Sequence, residues 1–426
     1  MTLSTDCLFP EMAVVRQSLV SREIADIPKA FGDAMMPAAK SLRSGNGASV
    51  AVCVGSRNIN RLDELVFQCL QSLENNGFRP FIVPAMGSHG GATPDGQKAV
   101  LAGFNITEDT MKAPIAAKMG TQAVDALGAD LPLYVATDAL AADYIVPINR
   151  IKPHTKFSGA IESGLCKMLT IGLGKADGAA AFHRAAVTRG FGIIEQAAEK
   201  LLSHLNILFG VGVLEDGYGR LSSIDVLMPE AIIEREKALL VEAKQMMPGI
   251  PFDPIDILII DQIGKDISGI GMDSNVTGRH RDIVGDFYTK PHVKRIFVRE
   301  LSPASDGNAN GIGLADVTTR RLADAVAWQK TFVNAVTAVS PEKAALPMHF
   351  ETDRESLTAC AQTTGTAELS DLRIVRIRHT GNLSYLQVSK PLASEIQSTP
   401  ALERISEWGP LGFDASDNLE DFIPYE

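Results

Sequence analysis

The stretch "GASVAVCVGS" (47–56) constrains the fold more than any other part of the chain. Its apolar run is short, rich in valine and closed by Gly and Ser, the pattern of a strand buried on both faces of a parallel sheet. A parallel neighbour needs a crossover, and "RLDELVFQCLQSLENNGF" supplies a helix. In it Leu62, Leu65, Val66, Cys69, Leu70 and Leu73 recur at helical spacing, and Asn76-Gly77 stops it. "RPFIVPAMGSHGGATPDGQKAVLAGFN" repeats the scheme: a strand over 80–86, a glycine-rich loop, and a helix capped by Thr93 with Pro94 at its first position. "DYIVPINRI" (143–151) reads as a further strand. This alternation predicts an α/β fold with mainly parallel sheets covered by helices.

A chain of 426 residues exceeds one ordinary domain. From 190 to 247 the pattern is a helix over 193–204, a strand pair around "ILFGVGVLED" and "SSIDVLMP", and the amphipathic helix "EAIIEREKALLVEAKQMM". "PGIPFDP" (248–254) then breaks the chain and "IDILIIDQIG" opens a fresh buried strand. The expected domains are therefore 1–250, carrying the chemistry, and 251–426, closing over a substrate. The second is read as "KRIFVREL", a helix over 316–337 and the edge-like strand "DLRIVRIRHT".

Charge and cysteine usage narrow the function. With 40 basic and 51 acidic residues the net charge is −11, which argues against a phosphate-backbone partner. Five cysteines without CxxC spacing indicate neither a disulfide framework nor a zinc ribbon and fit a reducing cytosol. No stretch reads as a membrane span or a secretory leader. The expectation is a cytoplasmic protein acting on a small molecule, with no nucleic-acid or membrane partner; monomer or homo-oligomer stays open.

Three of the eight histidines fall near the ends of expected strands: His89 in "GSHGG", His154 in "KPHTK" and His183 in "AAFHRA". In an open α/β sheet the loops at the carboxyl ends of strands form the ligand crevice. Each histidine also has an ordinary reading: a cap for His89, a solvated turn for His154, a packed helix position for His183. Lys167 lies between Cys166 and Met168, where a lysine is uncommon unless paired, snorkelling or chemically employed. Arg57 in "VGSRNI" offers a two-pronged donor to a carboxylate, or is a surface arginine. "GLGKADG" (172–178) misses both the dinucleotide fingerprint and the phosphate-loop ending.

Taken together, "GSHGGAT" (87–93), "IKPHTKFSGAIESGLCKML" (151–169) and His183 resemble the nickel-dependent lactate racemase family and its 2-hydroxy-acid racemase and epimerase relatives. In that family a Pro-His precedes a Phe-Ser-Gly and a lysine lies sixteen residues before a further histidine, the separation of Lys167 and His183 here. The resemblance implies two α/β domains with the active site between them and, as cofactor, a nickel pincer nucleotide: a pyridinium mononucleotide whose two sulfur-bearing arms hold nickel. It implies His183 as the nickel ligand and Lys167 as the residue joined to the cofactor. His89 and His154 become the acid/base pair and Arg57 a substrate contact. In "QIGKDISGIGMDSNVTGR" (262–279), Lys265, Asp273 and Asn275 are the further candidates for substrate contact, beside Asp266 and Arg279.

The chemistry agrees with that assignment. The hydrogen on C2 of a 2-hydroxy carboxylate is poorly acidic beside an anionic carboxylate, so hydride transfer is easier than proton abstraction. Two histidines are needed because the hydroxyl proton lies in different places in the two enantiomers. A racemase or epimerase is the leading reading; an oxidoreductase with the same cofactor and a non-catalytic cofactor carrier are the alternatives.

Overall fold

The computed structural model describes residues 9–39, 45–56, 59–281 and 287–423. It divides into two compact units, Val20–Met247 and the remainder of the chain. Both are α/β with mainly parallel sheets.

In the first unit a five-stranded sheet runs in the order Arg79–Pro84, Ser49–Val54, Tyr144–Arg150, Gly210–Glu215, Leu221–Leu227. The first four strands are parallel and the last is antiparallel. Val50, Val52 and Val54 point to one face, where they meet the Leu62–Asn75 and Ile27–Ala39 helices; Ala51 and Cys53 point to the other. Strand residues alternate between faces, so a run apolar at every position is what a sheet covered on both sides demands. The buried face of Leu62–Asn75 consists of Leu62, Leu65, Val66, Cys69, Leu70 and Leu73, the six positions expected from the spacing. Full burial of each such Leu or Val contributes about 1.5–3 kcal/mol. Thr93 caps the Pro94–Ala102 helix by accepting from the Gly96 amide at 3.1 Å.

The second unit holds an eight-stranded sheet. Met348–Phe350, Val317–Thr319, Val293–Leu301, Ile255–Ile263 and Ile374–Ile377 are parallel neighbours; Tyr385–Ser389, Met12–Gln17 and Leu402–Arg404 extend the sheet antiparallel. The chain passes between units at Met247 and Pro248, inside the proline-rich break. Met12–Gln17, however, lies with the later residues, because Met12, Ala13 and Val15 bury their side chains in this second sheet.

Two expectations for this unit need correction. The helix expected over 316–337 is a strand, Val317–Thr319, followed by helices Arg320–Asp324 and Trp328–Thr337. Its β-branched start pairs between two neighbours, where pleated packing outweighs helical periodicity. "DLRIVRIRHT" is not an edge: Ile374–Ile377 pairs on both sides. Within it Arg376 is 1% exposed and donates from Nε to Asp261 at 2.8 Å. Among the described residues no helix is long and apolar enough to cross a membrane.

Candidate active site

The topology of the first unit marks a crevice. From Ser49–Val54 the chain steps outward to Arg79–Pro84 and then returns to the opposite side as Tyr144–Arg150. Strand order thus reverses beside Ser49–Val54, and ligands of open α/β sheets bind at the carboxyl ends of strands flanking such a point. Ser56, His89 and His154 follow the carboxyl ends of these three strands.

His89 opens a short helical turn, Gly90–Ala92. Its Nδ1 lies 2.6 Å from Ser56 Oγ. The loop beneath is held by Gln97, whose side-chain amide donates to the carbonyl oxygens of Gly87 at 3.0 Å and His89 at 3.3 Å. Gln97 in turn accepts from Lys175 Nζ at 2.8 Å, and the same ammonium donates to Pro84 O at 2.6 Å. Lys175, in the stretch set aside as a failed phosphate loop, is therefore a buried peg under the His89 loop. Its signal was the one noted for Lys167: a lysine among small apolar residues.

Burial pushes Lys175 down from its ordinary 10.5 to about 8. Between those values the unfolded chain binds the proton more tightly, so this group's contribution to stability rises with pH. Lys175→Met should lose that rise: relative to the variant, the wild type should gain up to about 1.4 kcal/mol per pH unit between roughly pH 8 and 10. Denaturant unfolding across that range checks it; parallel curves would place the ammonium in water.

The segment from 164 onward carries the other groups. Leu165–Lys167 forms one α-helical turn, Met168–Gly172 continues as a π-helix, and Lys175–Arg189 is an α-helix bearing His183. A π-turn shifts the phase of the residues beyond it and is frequent at functional sites. The small residues serve close packing against the strand ends. A Cβ on Gly172 would lie 2.7 Å from the Ala85 carbonyl oxygen, and Gly87 N donates to Gly172 O at 3.1 Å. A Cβ on Gly164 would collide with the carboxylate of Glu236.

His154 is set by its loop. Its amide donates to Glu162 Oε2 at 2.6 Å, and buried Glu162 also accepts from Gly159 N at 3.1 Å and Lys244 Nζ at 2.6 Å. The ring stacks on Phe157 with centroids 4.4 Å apart, and Phe157 stacks on Phe191 at 4.3 Å. His183 meets the edge of Phe191 with centroids 6.4 Å apart. Burial, then the charges of Lys167, Lys156, Lys152 and His183, holds His154 well below the ordinary histidine range, so it is neutral at pH 7. His154 and His183 both lie against Phe191, with ring centroids 6.3 and 6.4 Å from it, and the charge of Lys167 also acts on His154. Lys156 N donates to His154 Nδ1 at 3.1 Å, which leaves the ring proton on Nε2.

Against Gly164 and Cys166 lies Glu236 of the Ile232–Met246 helix, fully buried. One carboxylate oxygen accepts from Cys166 N at 3.0 Å and the other has no partner among the described residues. Burial outweighs the backbone hydrogen bonds and pushes it up to about 7.

Arg57 lies outside the described residues. Lys265, Asp273 and Asn275 belong to the second unit and are not brought to the group above by that unit's own fold. Lys265 Nζ donates to Gly269 O at 2.5 Å. Asp273 caps the short helix Ser274–Thr277, accepting from the amide and side chain of Asn275, each at 3.0 Å.

No family model matches the chain. No curated protein matches it either. Among solved structures it is similar to the lactate racemase apoprotein of Thermoanaerobacterium thermosaccharolyticum, with a TM-score of 0.47 and 14% identity over 86% of this chain and 85% of that one. It is also similar to a Thermotoga maritima protein solved by structural genomics, with a TM-score of 0.47 and 14% identity over 66% of this chain and 72% of the other.

Proposed function

We propose that the chain is a racemase or epimerase of a 2-hydroxy carboxylic acid that works with a nickel pincer nucleotide. One observation carries the reading: His154 and His183 lie against the same ring, Phe191, with the charge of Lys167 acting on His154, and His154 and His89 follow strands that flank the strand-order reversal. The motif resemblance in "GSHGGAT" and "IKPHTKFSGAIESGLCKML" supports it independently.

The donor set fits the group. Among the described residues no three His, Cys, Asp or Glu side chains form a metal cage. A single imidazole, His183, suits a nickel ion that arrives with its other donors on an organic cofactor. Lys167, the last residue of the turn Leu165–Lys167, would hold that cofactor covalently. When bound, the group supplies an acceptor and donor of hydride for C2.

The remaining work falls to this chain. His89 takes or returns the hydroxyl proton at Nε2. His154 would serve as the second base in the tautomer that carries its proton on Nδ1, reached by displacing the Lys156 amide, and would return a proton from Nε2 as the imidazolium. Phe157 and Phe191 keep water from one side of His154. Arg57, Lys265, Asp273 and Asn275 are the candidates for engaging the carboxylate and hydroxyls of the acid.

The test uses protein made together with the enzymes that build the cofactor. With substrate deuterated at C2, the label should remain on C2 of the inverted product, and His183→Ala should lose nickel while keeping its circular dichroism spectrum. Complete wash-out of the label during one turnover would sink hydride transfer; nickel retained in the variant would remove His183 as ligand.

A further inference from the structure

We propose that Ser56 is a positioning residue that holds the proton of neutral His89 on Nδ1 and so leaves Nε2 as the reacting nitrogen. The inference rests on the acid/base reading of His89. The two residues are far apart in sequence, and it is the parallel pairing of Ser49–Val54 with Arg79–Pro84 that brings Ser56 Oγ within 2.6 Å of His89 Nδ1.

A hydroxyl donating to a bare Nδ1 has to reverse its bond whenever the ring is protonated, whereas as acceptor from Nδ1–H it serves the neutral ring and the imidazolium alike. The same contact therefore persists while Nε2 gains and loses a proton, and the ring need not turn during the cycle. A carboxylate in that place would also fix the tautomer, but its charge would favour the imidazolium and spoil the base. An uncharged acceptor orients without that bias. His154 shows the opposite arrangement: its Nδ1 faces the Lys156 amide, which donates only, so its resting proton sits on Nε2. The two histidines thus rest in opposite tautomers, His89 with Nε2 open to a proton and His154 with Nε2 already carrying one.

The readout is the nitrogen-15 spectrum of histidine-labelled protein above the histidine pKa, with His89→Gln identifying the His89 signals. Wild type should show His89 Nδ1 protonated and Nε2 bare. Ser56→Ala should move the proton to Nε2, the tautomer an unconstrained imidazole prefers in water, and Ser56→Thr should restore the wild-type pattern. In cofactor-loaded enzyme Ser56→Ala should lower kcat about tenfold with KM little changed, the scale of one ordinary hydrogen bond. A bare Nδ1 in wild type, or a pattern unmoved by Ser56→Ala, overturns the assignment even where inversion is confirmed. Loaded wild type that inverts no 2-hydroxy acid overturns the proposed function, and the proton's place on His89 still decides the role of Ser56.

Discussion

Replacing His154 by Ala is expected to lower inversion by about 10² to 10⁴, the usual loss on deleting a general acid/base group. A racemase cannot move the equilibrium between enantiomers, so under the proposed function kcat/KM must fall by the same factor in both directions. His89→Ala should behave alike. The pH profile separates the two. Burial and the neighbouring Lys167, Lys156, Lys152 and His183 charges lower His154, so its neutral form persists into acid. A rate that needs neutral His154 is lost only as pH falls well below the ordinary histidine range, and removing His154 should erase that acidic limb. Initial rates for each enantiomer, with circular dichroism as a check on folding, decide it. A loss under tenfold would take His154 out of the chemistry.

The parts of this site that were legible in the sequence are those whose local setting is itself unusual. Lys167 and His183 stand out because few bulky residues surround them, and the close approach of Gly172 and Gly87 gives the physical reason for that lack of bulk. Ser56 was not legible. A serine after a buried strand is an ordinary turn residue, and its contact with His89 exists only through sheet pairing, which periodicity does not encode. Arg376 and Glu236 were not legible either. Each sits where charge spacing suggests a solvated face, as in "EAIIEREKALLVEAKQMM", yet each is buried by an element distant in sequence. Alternation and helical spacing report which side of an element is apolar; they do not report a polar group turned inward to meet one specific partner.

Glu236→Gln is expected to stabilise the protein at alkaline pH by up to about 3 kcal/mol, a large share of the stability of an ordinary domain. The buried carboxyl is raised from its ordinary 4.5 to about 7, burial outweighing the opposing pull of the Cys166 amide. Between those values the folded protein binds the proton more tightly than the unfolded chain, so stability falls as pH rises from about 4.5 to about 7, and the full cost persists above. Glutamine keeps the shape and an acceptor for the Cys166 amide without the charge. Unfolding free energies of the two proteins should therefore converge near pH 4.5 and separate, in the variant's favour, by pH 8. Equal dependence on pH would mean that Glu236 is already solvated in the folded state. The position gives the cost a meaning: the Cys166 amide belongs to the single turn that ends in Lys167. A carboxylate kept there against about 3 kcal/mol of burial is stability given up to anchor the start of the segment on which the proposed cofactor lysine stands. A neutral amide oxygen is a weaker acceptor than a carboxylate, so Glu236→Gln should be the more stable protein and, with a looser anchor at the Cys166 amide, the less active one in the loaded enzyme.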